Sequence, residues 1–329
     1  MKDLSKIFNN FNDVKVGVIG DLMLDTYMIG KVERISPEAP VPVVTLHHKE
    51  GRIGGAGNVA LNCSKLGAAV FVLGVTGTDE EGKWLQKLLR DNNISTAYLS
   101  ESSSRITTSK TRIISRNQQM MRLDAEVTDD LDQQDEAAIL HQLQSFIEKE
   151  DPDILIFEDY NKGVLSEKVI HQAIEICRVS GILTAVDPKR KNFFSYRGVD
   201  IFKPNLKEVK DALNIIFDQV GTATLKEIHK ELHAMLHHKI SFITLSEHGV
   251  FYQQDDEAAI LPSHIRNISD VSGAGDTVIA VAALVYAVTK NIYLMAEIAN
   301  IAGGLVCEEV GTAAVNKNKL LSECELLLS

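Results

Sequence analysis

Residues 270–278 read Asp270-Val271-Ser272-Gly273-Ala274-Gly275-Asp276-Thr277-Val278, and an apolar run continues to Val285. The two glycines allow the backbone to approach a ligand closely. The apolar run predicts a buried helix, so the turn opens a helix whose first N–H groups are free to bind an anion. Asp276 lies inside this anion site, where its carboxylate would repel phosphate. Such a placement indicates that the carboxylate has a chemical role. Removing a proton from an attacking hydroxyl is such a role, and Asp276 is therefore the candidate general base.

The composition is that of a protein with a full hydrophobic core. Its 329 residues are 45% hydrophobic and 24% charged, which is ordinary for globular proteins. The net charge of −11 argues against a general binder of nucleic acid or of membrane surfaces. The N-terminal segment is polar, and the longest apolar run, Val278–Val288, is about half of what a membrane span needs. We therefore expect a cytoplasmic protein.

Short β-branched runs alternate along the chain with longer segments of helical periodicity. The predicted strands are Lys15–Ile19, Val70–Val75, Ile154–Phe157, Leu183–Val186, Ile201–Lys203, Phe242–Leu245 and Val250–Gln253. The predicted helices are Gly57–Leu66, Glu80–Asn92, Asp132–Glu148, Glu167–Ser180, Leu206–Leu213, Ala223–His237, Gly275–Thr289 and Leu294–Val310. This order indicates an α/β fold, with a mostly parallel sheet and helices on both faces. Because no linker-like segment is present, we expect residues 1–329 to form a single domain.

Two segments break this alternation. Pro37–Leu46 contains three prolines, which forbid a helix and suit an edge strand. Thr107–Asp124 alternates basic and apolar residues, which predicts a hairpin with Asn117-Gln118 near its turn. We expect a small separate sheet, a lid built from about residues 26–46 and 105–124. It would cover the carboxyl ends of the main strands, where open α/β sheets bind ligands.

A second glycine-rich stretch, Gly54-Gly55-Ala56-Gly57-Asn58, precedes another predicted helix. It has two interpretations: tight packing of a strand on a helix, or backbone approach to a polar ligand, with the Asn58 amide as donor and acceptor. The stretch does not have the dinucleotide pattern GxGxxG, so it gives no support for a nicotinamide cofactor.

Polar residues follow several of the predicted strands. Asp21 and Asp25 come after the first strand, where they either accept hydrogen bonds from sugar hydroxyls or cap the loop. Asn205 and Glu208 lie three apart on one helical face, which suits hydrated magnesium near phosphates and equally suits an N-cap. Lys189 follows another strand with a point charge suited to phosphate.

Basic residues are concentrated in the predicted hairpin, where they form either a solvated face or a local pocket for an anionic sugar phosphate. They are Lys110, Arg112, Arg116 and Arg122. The ten histidines show no zinc-binding spacing, and we expect the pairs His47-His48 and His237-His238 at the surface. The sequence contains no GxSxG motif, so it gives no indication of a serine hydrolase.

These stretches together resemble the ribokinase (PfkB) family of carbohydrate kinases. Gly54–Ala60 is similar to the first family signature and Asp270–Asp276 to the second, DxxGAGD, with the NxxE motif Asn205–Glu208 between them. The resemblance covers roughly residues 13–316. It implies a ribokinase-like fold with a small β-sheet lid, and an ATP-dependent kinase that uses Mg²⁺.

The resemblance also implies roles at the matching positions. Asp276 would be the general base, and the amides of Gly273, Ala274 and Gly275 would form the anion hole. The implied acceptor ligands are Asp21, Asp25, Gly54, Gly55, Asn58, Lys110, Arg112 and Asn117. The implied ATP-site residues are Asn205, Glu208, Lys189, Ser246, Gly249 and Asn300, of which Asn205 and Glu208 would hold Mg²⁺, mostly through water.

Family members often bind a monovalent cation such as K⁺ near the second signature. Two threonines frequently follow the first aspartate there, whereas this chain has Val271-Ser272, which leaves cation activation open. Many relatives also dimerise through their lids, and the apolar lid residues predict a homodimer here.

Within the family, the lid and loop segments resemble kinases that act on D-glycero-D-manno-heptose 7-phosphate. The segments that carry this resemblance are Gly20–Asp25, Arg34–Val43, Lys110–Arg112, Ser115–Gln119, Arg122–Asp124 and Thr244–Gly249. They imply phosphorylation of the anomeric hydroxyl to heptose 1,7-bisphosphate, in ADP-heptose and lipopolysaccharide core synthesis. Since no HxGH motif for nucleotidyl transfer occurs, the chain resembles a stand-alone kinase.

Two alternatives stay open. The first is a kinase of the same fold for another sugar or sugar phosphate, such as fructose, ribose, tagatose phosphate or ketodeoxygluconate. The second is a non-catalytic regulator that binds a sugar or a nucleotide.

Overall fold

The structure is a computed structural model that describes residues 4–116, 118–216, 220–264, 266, 268–309 and 311–328. Its strands are β1 (Lys15–Gly20), β2 (Leu22–Ile35), β3 (Pro42–Gly55), β4 (Ala69–Gly77), β5 (Ile94–Ser102), β6 (Ser109–Ser115), β7 (Gln118–Ala125), β8 (Ile154–Glu158), β9 (Leu183–Asp187), β10 (Ile201–Phe202), β11 (Ile240–Thr244), β12 (Val250–Gln254) and β13 (Glu257–Leu261). Its α-helices are α1 (Leu4–Asn10), α2 (Ala56–Leu66), α3 (Glu80–Asp91), α4 (Gln133–Glu150), α5 (Glu167–Ser180), α6 (Leu206–Leu213), α7 (Thr222–Leu236), α8 (Ala274–Thr289), α9 (Ile292–Val306) and α10 (Lys317–Leu328).

Nine of the described strands form the main sheet, in the order β13-β12-β11-β10-β9-β8-β1-β4-β5. The strands from β5 to β11 are parallel, and β12 and β13 add an antiparallel edge. Val18 on the central strand β1 pairs with Val72 of β4 and with Ile156 of β8. Buried parallel strands need helices on both faces, which is why these strands are apolar throughout rather than alternating. The predicted mostly parallel sheet is confirmed.

Two helical layers enclose this sheet. Helices α2, α8 and α9 pack in the hydrophobic cluster on one face, and α4, α5 and α7 in the cluster on the other. Helix α8 contacts α2 and α9 as well as the sheet, so its residues 276–286 are all buried. A helix covered on every side is apolar all round, as the run after Asp276 predicted. None of the helices within the described ranges is both long and apolar enough to cross a membrane.

The second sheet contains the remaining strands in the order β3-β2-β6-β7. Strand β2 is antiparallel to β3 and parallel to β6, and β6 and β7 form the predicted hairpin. The proline-rich segment supplies an edge strand, as predicted, although β3 begins only at Pro42. Because β2 starts at Leu22, directly after β1 ends at Gly20, the second sheet emerges from the carboxyl edge of the main sheet.

Several boundaries differ from the sequence predictions. Helices α1 and α10 and strands β5 and β13 were not predicted. Helix α9 ends at Val306, four residues before its predicted end. The reason is that the Cys307 carbonyl accepts hydrogen bonds from the N–H groups of Ser269 and Asp270 at 2.8 and 3.2 Å. The chain therefore turns toward the signature loop instead of continuing the helix.

Candidate active site

The N-terminus of helix α8 lies at the carboxyl ends of β8 and β9, whose last residues are Glu158 and Asp187. Gly273 is its N-cap and has φ 79°, in the left-handed region that favours glycine. A Cβ at this position would lie 2.9 Å from the Asn58 Nδ2 atom. The N–H of Ala274 donates to the Val271 carbonyl at 3.3 Å, which gives that amide a partner inside the loop. The Gly273 and Gly275 amides are thus better placed than Ala274 to receive an anion.

Asp276 is the buried carboxylate at the centre of this site. Its Oδ1 accepts a hydrogen bond from the Tyr160 hydroxyl at 2.8 Å, and its Oδ2 accepts one from Asn58 Nδ2 at 2.7 Å. Burial raises the pKa of Asp276 to about 6, and the two donors oppose that rise. The carboxylate is therefore fixed in orientation, and its pKa is close to the range in which a general base works best.

The Asn58 amide nitrogen is directed at Asp276 rather than into an open ligand space. Asn58 lies in the first turn of α2, which brings it to the N-terminus of α8. It therefore helps to fix the orientation of the Asp276 carboxylate. Direct contact between Asn58 and a sugar stays a prediction.

Asp21 has the hydrogen bonds expected from the loop-capping interpretation. Its carboxylate accepts hydrogen bonds from the backbone N–H groups of Tyr160, Lys162 and Val164, at 2.8 to 3.1 Å, and it is buried. Burial raises the pKa of Asp21, and these three backbone donors oppose the rise. Asp21 thus organises the loop that carries Tyr160, and its contact with a sugar hydroxyl stays a prediction.

Asp25 is buried beneath the second sheet and forms an ion pair with Arg112, with 2.5 Å between its Oδ1 and the Arg112 Nη1. A Cβ on Gly54 would lie 2.4 Å from Asp25 Oδ2, and one on Gly55 would lie 2.3 Å from the Asp21 carbonyl. The two glycines therefore fit the packing interpretation of their motif. Contact of Asp25 with an acceptor stays a prediction.

Charged residues share one face of the second sheet. Strand register places Asp25 beside Arg52 and Lys110, and Tyr27 beside Glu50 and Arg112. Side chains of paired residues project to the same face, and this face therefore continues along alternate positions. Both guanidinium groups lie over the Tyr27 ring, at 4.7 Å for Arg52 and 5.3 Å for Arg112.

Arg52 also shows where this face points. A Cβ on Gly311 would lie only 2.8 Å from the Arg52 Nη1 atom. The Gly311 N–H donates to Asp270 at the start of the signature loop, at 2.9 Å. The charged face therefore borders the loop that carries Asp276. Sequence reasoning missed Arg52, although it lies two residues before the first glycine signature. The predicted ligand Asn117 lies outside the described residues.

Asn205 and Glu208 form a reciprocal capping box at the start of α6. The Asn205 side chain accepts from the Glu208 N–H, and the Glu208 Oε2 accepts from the Asn205 N–H, both at 2.8 Å. The Glu208 Oε1 also accepts from Lys189 Nζ at 2.8 Å. Burial alone lowers the pKa of Lys189, but Asp187 and Glu208 outweigh it and raise that pKa. The N-cap that the sequence suggested is thus present in the structure. A magnesium-binding role for Asn205 and Glu208 stays a prediction.

The remaining predicted ATP-site residues surround one loop, residues 261–263. Asn300 Nδ2 donates to the Pro262 carbonyl at 2.9 Å. Ser246 and Gly249 belong to one turn, in which the Gly249 N–H donates to the Ser246 carbonyl at 3.1 Å. Asn300 therefore holds this loop through the Pro262 carbonyl. The turn of Ser246 and Gly249 lies next to the loop, since a Cβ on Gly249 would clash with the Leu261 carbonyl. Their contact with a nucleotide stays a prediction.

Sequence reasoning missed several groups around Asp276. They are the half-buried Tyr160 and the buried Glu158, Asp187 and Lys203. Glu158 is the last residue of β8 and Asp187 the last of β9, so neighbouring parallel strands bring their carboxylates to one edge. One oxygen each of Glu158, Asp187 and Asp276 lie within 4.8 Å of one another. Lys203 Nζ lies 2.8 Å from Asp187 Oδ2. Burial, reinforced by the neighbouring Asp187 and Asp276, raises the pKa of Glu158 well above its ordinary value.

This donor set suits a divalent cation such as Mg²⁺. Hard divalent cations prefer carboxylate oxygens. Both Glu158 oxygens are buried and have no hydrogen-bond partner in the described part of the chain. The residues present therefore fit a metal ion at this edge of the sheet.

Comparison with known proteins identifies the family. Residues 14–319 match the model of the pfkB family carbohydrate kinases. The chain belongs to the pfkB family of carbohydrate kinases. It is therefore a sugar kinase enzyme, as the two glycine signatures implied.

Curated relatives of this pfkB kinase include two named "Bifunctional protein HldE". The one from Sulfurimonas denitrificans is 39% identical over 315 residues, covering 96% of this chain and 65% of the relative. The one from Helicobacter hepaticus is 38% identical over 307 residues, covering 93% of this chain and 63% of the relative. The chain thus spans a little under two thirds of the length of these relatives.

Solved structures show the same ribokinase-like fold. Escherichia coli phosphofructokinase-2 in complex with potassium matches with a TM-score of 0.80 at 18% identity, covering 96% of this chain and all of that one. Arabidopsis thaliana ribokinase, complexed with ribose and ATP, matches with a TM-score of 0.70 at 16% identity, covering 94% of this chain and 98% of that one. At such identities the likeness establishes the fold of this pfkB kinase and not its substrate.

The Tyr160 hydroxyl gives a first test of the site. Tyr160→Phe removes one donor to Asp276 but keeps the aromatic ring that faces Lys189 Nζ at 5.6 Å. A hydrogen bond to a charged group contributes about 1.5–3 kcal/mol, so we expect kcat to fall about tenfold or more. The KM for ATP should change less than about twofold, because the predicted nucleotide residues are on other elements. Steady-state kinetics measures both quantities.

The matched control is Tyr196→Phe, which removes a buried hydroxyl that donates to a different carboxylate, Asp159, at 2.8 Å. We expect its kcat to stay near that of the wild type. An equal loss of kcat in both variants would show that the Tyr160 effect is general loosening of the core.

Proposed function

We propose that this kinase transfers the γ-phosphoryl group of ATP to the anomeric hydroxyl of D-glycero-D-manno-heptose 7-phosphate, giving heptose 1,7-bisphosphate. The observation that carries phosphoryl transfer is the buried Asp276 carboxylate in the first turn of α8. The choice of heptose is supported by relatives named HldE, a heptose kinase/adenylyltransferase, at 37–39% identity. It is also supported by the segments of the second sheet and the nucleotide loop that resemble heptose kinases.

In the proposed reaction, the acceptor hydroxyl gives its proton to Asp276. The hydroxyl oxygen forms a bond to the γ-phosphorus as the bond from that phosphorus to the bridging oxygen of ADP breaks. The Gly273 and Gly275 amides stabilise charge on the transferring group. Asn58 and Tyr160 keep the Asp276 oxygens turned toward the acceptor. Bound Mg²⁺ would neutralise phosphate charge beside Asn205 and Glu208. Activation of the kinase by K⁺ stays a prediction.

The phosphate already on the acceptor would bind the charged face of the second sheet. Arg112 and Lys110 are partly buried there, and the residues beside them include Arg52, which was not predicted. Guanidinium groups bind phosphate through paired N–H donors. The second sheet would then act as a lid that excludes water from the transferring group.

A panel of acceptors tests the substrate. ADP release is measured with heptose 7-phosphate, unphosphorylated heptose, fructose, ribose, tagatose 6-phosphate and ketodeoxygluconate. We expect kcat/KM for heptose 7-phosphate to exceed that for every other sugar by about 10²-fold or more, because loss of a charge-assisted phosphate contact costs about 3 kcal/mol. Strong turnover of a neutral sugar alone would favour another pfkB activity. Tight binding without turnover of any sugar would favour a regulator.

We also propose that the chain forms a homodimer through its second sheets. Leu46, Met121 and Leu123 on this sheet are each 50–55% exposed. Exposed apolar side chains concentrated in one sheet are typical of a contact surface. Among the structural neighbours, Escherichia coli phosphofructokinase-2 has a tetrameric inhibited form.

The dimer prediction can be tested by charge substitution on the apolar side of β7. Leu123→Glu places a carboxylate in the proposed interface, so we expect a dimer in the wild type and a monomer in the variant. Sedimentation velocity at micromolar concentration measures both. The matched control is Val179→Glu, since Val179 is 73% exposed on α5, away from the second sheet. A monomeric wild type, or a dimer unchanged by Leu123→Glu, would contradict the proposal.

A further inference from the structure

The carboxylate cluster behind the signature loop has more negative charge than its neighbours neutralise. Glu158, Asp187 and Asp276 each bring one oxygen to within 4.8 Å of the others. The cationic groups beside them are Lys203 and Lys189, at 2.8 and 3.3 Å from the two Asp187 oxygens. Lys189 is shared with the carboxylate of Glu208. Four carboxylates therefore face two ammonium groups.

Glu158 is the member of this cluster whose carboxylate has no hydrogen-bond partner in the part of the chain that the structure describes. Its side chain is fully buried, at 0% exposure, and neither Oε1 nor Oε2 has a hydrogen-bond partner in the described ranges. Burying a carboxylate without hydrogen-bond donors is unfavourable in free energy, because no interaction compensates for the loss of its hydration. One Glu158 oxygen lies close to oxygens of Asp187 and Asp276. A cation bound among these three oxygens would therefore supply the favourable interaction that the Glu158 carboxylate lacks.

The other carboxylate proposed for magnesium is already engaged. One Glu208 oxygen accepts from the Asn205 N–H and the other from Lys189 Nζ, both at 2.8 Å. Direct coordination by Glu208 would require displacing Lys189 or opening the cap. Asp276 still has capacity, since a carboxylate has about four acceptor sites and its two recorded bonds use one on each oxygen.

We propose that Glu158, Asp187 and Asp276 form a binding site for a divalent metal cation that fills before nucleotide binds. Coordinating oxygens at 2.0–2.6 Å from a divalent ion lie about 3–5 Å from one another, which matches this cluster. The two positive charges of such an ion would equal the excess of two carboxylates over ammonium groups, so the occupied site would be neutral before phosphates arrive. Glu158 is the ligand that decides occupancy, because its oxygens have no hydrogen-bond partner among the residues that the structure describes.

The test is Mn²⁺ binding to the nucleotide-free protein, followed by the electron paramagnetic resonance signal of free Mn²⁺. We expect the wild type to bind one Mn²⁺ that Mg²⁺ displaces. Glu158→Gln keeps the shape of the side chain but removes its charge, and it should weaken Mn²⁺ binding at least tenfold. Glu208→Gln is the matched control, with a change below about threefold. Circular dichroism melting establishes that both variants are folded.

Two outcomes would overturn the proposal: no nucleotide-free Mn²⁺ binding by the wild type, or equal affinity in the wild type and Glu158→Gln. Because the readout is binding, failure here is distinct from failure of the proposed sugar phosphorylation. If Glu158→Gln does not fold, anomalous scattering from Mn²⁺-soaked wild-type crystals decides. A peak among the three carboxylates supports the site, and a peak only at Glu208 rejects it.

Discussion

Asp276→Asn should lower kcat by about 10²–10⁴-fold, the usual contribution of a general base. Asparagine keeps the volume of the side chain and one oxygen that can accept from Tyr160, but it cannot take the acceptor proton. Nucleotide affinity should persist, because the predicted ATP-site residues lie on α6, α9 and the turn before β12. A coupled assay of ADP release gives kcat, and calorimetric titration with ATP gives nucleotide affinity.

The matched control for this prediction is Asp270→Asn, in the same loop. Asp270 is half-buried, and its carboxylate accepts from the N–H groups of Ser272 and Gly311, which asparagine can partly replace. We expect its kcat to fall less than about tenfold. If Asp276→Asn kept near-normal turnover, or if both substitutions reduced kcat equally, Asp276 would not be the base.

The elements of the fold could be predicted because their patterns are local. Buried parallel strands such as Ile154–Phe157 are short apolar runs, and the α5 prediction, Glu167–Ser180, matches the structure at both ends. Helix α5 has an N-cap at Ser166 and a left-handed glycine at Gly181, two signals that the sequence displays openly. The predicted lid, from about residue 26, overlaps most of strand β2, but the start of β2 at Leu22 was not predicted because it follows β1 almost directly.

The candidate site could be predicted only where a motif was contiguous. Asp276 stands in its own signature, whereas Glu158 and Asp187 meet because β8 and β9 are neighbours in the sheet. Strand order is not written in the local pattern, so these carboxylates looked unrelated. The hydrogen bonds of Asp21 could not be predicted for a similar reason, because their donors, the N–H groups of Tyr160, Lys162 and Val164, are about 140 residues away.

The pair His237-His238 was expected at the surface, and for His238 that prediction is wrong. His238 is fully buried, and its Nε2 lies 2.6 Å from Ser241 Oγ. His229 of α7 approaches the same hydroxyl, with its Nδ1 at 2.8 Å. Burial lowers the pKa of His238 to about 3 and that of His229 to about 4, and neighbouring His233 adds to both effects, while Asp255 opposes the shift at His229.

These two histidines should make the fold sensitive to acid. Their folded pKa values lie below the ordinary value of 6.5, so below pH 6.5 the unfolded chain binds protons that the folded chain does not. The free energy of unfolding therefore falls as pH decreases from about 6.5 toward 4. Summed over both groups, the expected loss between pH 7 and pH 5 is about 2–4 kcal/mol.

Other buried groups act in the opposite direction, so the histidine term must be isolated by substitution. Burial raises the pKa of Asp159 and of Asp276 to about 6. As the pH falls, these carboxylates therefore bind protons in the folded protein at a higher pH than they do in the unfolded chain. The measurement is therefore urea unfolding of the wild type and of a His229→Gln, His238→Gln double variant at pH 7 and pH 5. Any cost of the substitutions themselves is present at both pH values and cancels in the comparison.

We expect the stability difference between wild type and double variant to move by about 2–4 kcal/mol in favour of the variant on going to pH 5, with roughly half of that for His238→Gln alone. The control is His48→Gln, which removes an exposed imidazole of β3 and leaves the buried pair intact. A difference that is the same at both pH values would mean that the two buried imidazoles are protonated in the folded protein. The surroundings favour neutral imidazoles, since His238 Nδ1 has no hydrogen-bond partner among the described residues and the neighbouring His229 and His233 lower the His238 pKa further. The neutral pair linked through Ser241 is the arrangement that such a site can hold.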